Sequence, residues 1–142
     1  MNILVLSHTE GKHLPDAALE ALTAAKQLGG TLSIGLWGSN AKDAANTLAD
    51  AGADSIFIVN GDDFEAPRYA TDITAAEALA NASGADVIIA GHSPRLARIQ
   101  GGLAARLNGV VDTHVSALKA EGDEISASRW FYRQRIKADV KR

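Results

Sequence analysis

The chain has 142 residues, 46% of them hydrophobic and 22% charged, an ordinary balance for one soluble globular domain. It contains no cysteine, which excludes disulfides, thiolate catalysis, iron–sulfur ligation and cysteine-type zinc sites. The net charge of −3 is uneven: residues 1–128 hold 8 basic and 16 acidic residues, net −8, and residues 129–142 hold 6 basic and 1 acidic, net +5.

In chain order, the opening MNILVLSHTE lacks a basic leader and turns polar after Leu6. It therefore reads as a first strand, Ile3 to Leu6, and not as a signal peptide. Pro15 opens a helix with Asp16 and Glu20 near its positive end. Ala18, Leu22, Ala25 and Leu28 form its apolar stripe, and Gly29-Gly30 stop it. Thr31 to Trp37 is a second strand. Asn40 is placed to cap a short helix running to about Ala51, and Ser55 to Val59 is a third strand. Asn60-Gly61-Asp62-Asp63 turns the chain, and a long helix from about Tyr69 to Ala82 ends at Gly84. Asp86 to Ala90 is a fourth strand, followed by a helix over about Arg95 to Leu107 that Asn108-Gly109 terminates. Four strand–helix units in succession predict an α/β fold, a doubly wound parallel sheet. Val110–Leu118 and Glu124–Tyr132 both look extended around Glu121-Gly122-Asp123, which predicts a C-terminal antiparallel hairpin.

No apolar run approaches the ~20 residues of a membrane span, so no membrane insertion and a cytoplasmic location are expected. The acidic body would repel phosphates and argues against nucleic acid. The basic end reads as a solvated last strand or tail, or as a docking surface for an acidic partner. The four histidines, His8, His13, His92 and His114, have no ligand spacing, so no metal is expected.

Ligands of open α/β sheets sit beyond the carboxyl ends of the strands. Two segments reach that edge: SHTEGKH (7–13) and GHSPR (91–95). At the second, Gly91 would permit close backbone approach, and His92 and Ser93 precede a helix start that carries Arg95 and Arg98. Together they form a candidate anion or nucleotide edge. Ser93 as N-cap and Pro94 as first helical residue explain the same letters without a ligand. There is no phosphate loop and no G-x-G-x-x-G fingerprint. The universal stress protein pattern, roughly G-x-x-G-x₉-G-[ST], also fails, because Pro94 stands where its second glycine belongs. No nucleophile constellation appears, so no catalytic residue is assigned.

Several stretches carry a likeness to a known family: ILVLSHTEGKHLPDAALEALTAAKQLGG, ADAGADSIFIVN, GADVIIAGHS, LAARLNGVVDTHVSAL and SRWFY. In this order and spacing the chain, over nearly all of residues 1–142, resembles the N-terminal domain of the electron transfer flavoprotein alpha subunit. The resemblance implies a single domain, 1–142, with the three-layer fold shared with adenine-nucleotide hydrolases. It also implies a scaffold role in electron transport, beside a flavin-bearing domain or partner. FAD is the family's cofactor, but its domain lies beyond the matching region, while AMP belongs to the beta subunit. A beta-like subunit is the partnership the resemblance implies; apart from it, Trp130, Phe131 and Tyr132 would alternate in and out of a strand, so that at least one needs cover, and self-association is the other expectation. An AMP- or ATP-binding module related to universal stress proteins is the alternative. Against the family's usual pattern, Gly91, Ser93, Ala104 and Leu107 fit. Leu96-Ala97 replace a glycine-basic pair, Gly101-Gly102 replace Pro-Arg, and Thr113-His114 stand for Ser-Asp. Arg129 to Ile136 stands for R-x-x-Y-A-G-N-A, and its small residues are lost.

Overall fold

Ile3-Leu4-Val5-Leu6 has no polar member, so whichever way a strand turns it, both faces need cover. In the computed structural model, which describes residues 2–10, 14–48, 52–61, 64, 68–91, 94–109, 115–121, 124–131 and 136–141, β1 (Asn2–His8) buries every residue after Asn2. It runs between β2 (Thr31–Gly38) and β4 (Val87–Ile89), and β3 (Ser55–Asn60) lies outside β2. The sheet is parallel, in the order β3-β2-β1-β4.

Alternation along the two central strands sorts the core into two layers. Ile3 and Val5 of β1 and Leu32, Ile34 and Leu36 of β2 pack under α1 (Asp16–Leu28) and α2 (Ala41–Thr47). Leu4, Leu6 and Trp37 pack on the other face, under α3 (Tyr69–Ser83) and α4 (Pro94–Arg106). Helices on both faces of a parallel sheet make the three-layer, doubly wound α/β fold that the strand–helix rhythm predicts. Gly35 shows how closely α3 lies on the sheet: a Cβ there would stand 3.1 Å from Leu4 Cδ1 and 3.3 Å from Leu79 Cβ.

The sequence places most helix ends well, with one correction at α2. It stops at Thr47, where the hydroxyl turns back onto the Ala44 carbonyl (2.7 Å) and the Leu48 amide bonds Ala45, three residues back. Such i→i+3 closure tightens and ends a last turn. Nor does the Asn40 side chain cap this helix. The cap comes from β3, whose Asn60 Oδ1 accepts the Lys42 amide at 3.3 Å, a partner remote in sequence.

After α4 a separate antiparallel sheet is built from β5 (Val115–Glu121), β6 (Glu124–Phe131) and β7 (Ile136–Lys141), in that order. The third strand, β7, lies in the basic end, for which the sequence leaves a solvated last strand and a tail both open. His114 and Tyr132 lie outside the described residues.

Replacing Gly35 with valine tests the α3 contact. The added methyls have no room between Leu4 and Leu79, so stability should fall by about 1–3 kcal/mol in urea unfolding. An unchanged midpoint would mean that α3 sits further from the sheet.

Candidate functional site

β1 and β4 are neighbours in the sheet although three helices separate them in sequence. Between them the chain changes direction across the sheet, and the crevice above their carboxyl ends is where doubly wound folds bind ligands. The amino ends of α1 and α4 both follow these strands.

The groups at this edge bond to one another. Thr9 follows β1, is buried, and donates its amide to the Trp37 carbonyl at 3.0 Å. Its side chain occupies the space a Cβ would take at Gly38. The His8 ring meets the Trp37 indole edge-on, with centroids 6.1 Å apart. The indole Nε1 donates to Asp72 Oδ1 at 3.0 Å. Asp72 is 1% exposed, in the first turn of α3, where the helix dipole favours a carboxylate.

Arg95 completes the assembly from α4. Its Nε donates to Asp72 Oδ2 at 2.8 Å and an Nη to Oδ1 at 2.7 Å, a bidentate pair. The same Nη also donates to the Phe64 carbonyl at 3.0 Å. The two charged side chains are 10% and 2% exposed, so little of the guanidinium faces water. Arg98, one turn on, is exposed and forms no salt bridge among the described residues. Gly91 stands so close to α1 that a Cβ would overlap the Ala17 carbonyl group; the close approach it permits is taken by the first turn of α1. His92 and Ser93 lie outside the described residues, as do Lys12 and His13 of the other loop.

Asp72 is the residue that sequence reasoning missed. Ala76 and Leu79 share its stripe of α3 and are buried. A carboxylate in an apolar stripe was the available signal, and Arg95, equally hemmed in by Pro94 and Leu96, was its counterpart. Gly102 also gains an explanation: a side chain there would overlap the Tyr69 hydroxyl on α3. Leu96, at the other altered position, is buried beneath α4.

Burial pushes the His8 imidazole below its usual pKa, and the nearby Arg95 charge pushes the same way. A backbone hydrogen bond at Thr9 and the carboxylates of Glu10 and Asp72 oppose them. No group of three or more potential metal ligands occurs among the described residues, and none of their helices is long and apolar enough to cross a membrane.

A family model described as electron transfer flavoprotein domain matches residues 3–142, and the chain belongs to that family. No curated protein matches it significantly.

Two outcomes test this assembly. Asp72→Ala leaves Arg95 charged, buried and unpaired, which should cost about 3–5 kcal/mol; joint replacement as Asp72→Leu with Arg95→Met should recover most of it. Urea unfolding measures both, and a mild loss in the single variant would mean that the pair is solvated. His8 has a lowered folded pKa, so its contribution is complete above the unfolded value near 6.5 and is lost as pH falls below it. Between pH 7.5 and 5.5, as test conditions about one unit either side of that value, the wild type should lose more stability than His8→Gln. Equal losses would contradict the burial of His8.

Proposed function

From membership of the electron transfer flavoprotein domain family, we propose that this chain is an alpha-subunit-like scaffold domain. It has no catalytic activity of its own and supports electron transfer through a flavin-bearing domain or partner subunit. The observation that carries this reading is the engagement of Arg95. The guanidinium best placed to grip a phosphate beyond β4 is already spent on Asp72 and the Phe64 carbonyl.

Fit to the family's cofactor points the same way. A flavin pyrophosphate at this edge would need backbone access at Gly91 and an available cation. Gly91 is packed against α1 and Arg95 is paired. The described residues thus make a poor cradle for FAD, and the flavin is assigned to a companion domain. The body's negative charge and the basic residues 129–142 suit a chain that docks onto other proteins.

A nucleotide-binding module is the second reading, favoured by one observation: Arg98 is exposed on the opening turns of α4. AMP or ATP would then be held by Arg98.

Calorimetric titration separates the two. The scaffold reading expects no saturable heat with AMP, ATP or FAD, together with a stoichiometric complex when a beta-like subunit is co-expressed. Saturable AMP binding abolished by Arg98→Gln would establish the nucleotide module instead.

A further inference from the structure

Among the described residues, β3 is the last strand of the parallel sheet and pairs with β2 alone. The Gly61 amide donates to the Gly38 carbonyl at 3.1 Å. By the alternation of a parallel ladder, Ser55, Phe57 and Val59 turn their backbone groups toward β2, and Ile56, Ile58 and Asn60 turn theirs outward. Among the described residues nothing pairs with those outward groups. Strand edges are commonly guarded by charge, proline or a bulge. Ser55–Asn60 has neither charge nor proline, and its Ile58 side chain is 40% exposed.

An apolar hollow of about 350 Å³ adjoins this edge, with Val59 and Phe64 on one side and Ala70, Thr74 and Ala78 of α3 on the other. A bare edge supplies main-chain affinity, and a hollow beside it accepts alternate side chains of an added strand. The site calls for an extended segment with apolar residues at every second position.

Charge narrows the choice. Residues 54–63 carry three carboxylates, Asp54, Asp62 and Asp63, and no basic residue, net −3. Antiparallel pairing of β3 with a second β3 would set Asp54 of one copy near Asp62 and Asp63 of the other, and like charges across strands repel. Residues 135–142 carry Arg135, Lys137, Lys141 and Arg142 against Asp139, net +3. Within them Ile136-Lys137-Ala138-Asp139-Val140-Lys141 alternates apolar and charged residues. These form β7, among the described residues the last strand of its sheet and paired only with β6.

We propose that the β3 edge is an interaction surface whose occupant is β7 of a second copy of this chain. The contact is heterologous, with β3 of one copy meeting β7 of the next, so association builds rings or open chains and not two-fold pairs. It draws on the same basic segment that the scaffold reading offers to a partner, and because the test uses this chain alone, its failure leaves the scaffold reading standing.

Sedimentation velocity of the full chain over a range of concentrations tests this. Oligomers larger than dimers are expected at low salt. They should dissociate as the Debye length shrinks from ~30 Å at about 0.01 M to ~3 Å at about 1 M salt. Ile58→Lys, which guards the β3 edge, and the pair Lys137→Glu with Lys141→Glu should each sediment as monomers. Mixed together, these two proteins retain one intact β7 and one intact β3 between them, and should form a heterodimer that grows no further. Recovery of that heterodimer also shows that both variants are folded. A wild type that is monomeric at every concentration overturns the proposal. So does a dimer indifferent to the lysine reversals, which would mean that β3 pairs with itself, and so does a mixture that stays monomeric.

Discussion

The pairing of Asp72 with Arg95, held in place by the Trp37 indole, fixes how the second helical layer meets the sheet. Its members and partners come from β2, α3, α4 and the Phe64 carbonyl, so one buried ion pair ties together segments from four parts of the chain. Two charges taken out of water repay their desolvation only when the geometry is good and the remaining hydrogen-bonding groups are satisfied. Here both carboxylate oxygens accept from Arg95 and one also accepts from the indole. The arrangement specifies where α3 and α4 lie more than it adds net stability.

That choice has a functional consequence. Doubly wound folds usually leave the carboxyl edge of the sheet open, because phosphates are held there by helix amino ends and basic side chains. In this chain Thr9 covers Gly38, α1 covers Gly91, and Arg95 is neutralised. A family built around electron transfer needs domains that hold others in position, and a sheet edge occupied by its own side chains suits that work. The alpha-subunit-like scaffold proposed here rests on family membership together with the engagement of the edge groups among the described residues.

Much of the architecture was legible in the sequence. The apolar run at Ile3–Leu6, the Pro15 start and the Gly84 stop carry their structural instruction within a few neighbouring residues. What escaped depended on partners remote in sequence. The cap of α2 is Asn60 rather than the adjacent Asn40, and α2 closes at Thr47 through a hydroxyl–carbonyl bond. For β7 the sequence leaves a strand and a tail both open, because Lys137, Asp139 and Lys141 suit either. For the candidate site, the sequence offers Arg95 as an anion-gripping residue at the edge, and in the structure its guanidinium is engaged by Asp72 and the Phe64 carbonyl. Its partner was missed because Asp72 lies 23 positions away, where helical periodicity alone reports an apolar face. Gly101-Gly102 looked like the loss of a family signature, and Gly102 proves to be the point where α4 accommodates Tyr69.

The filled edge is tested most directly by side-chain NMR of the Arg95 Nε–H and the Trp37 Nε1–H during titration with AMP and FAD. Both protons point at Asp72, so each should exchange slowly with water and keep its chemical shift as either ligand is added. Saturable movement of the Arg95 resonance, with faster exchange at Trp37, would show that the carboxylate gives up its partners to a ligand, and the scaffold account would fail.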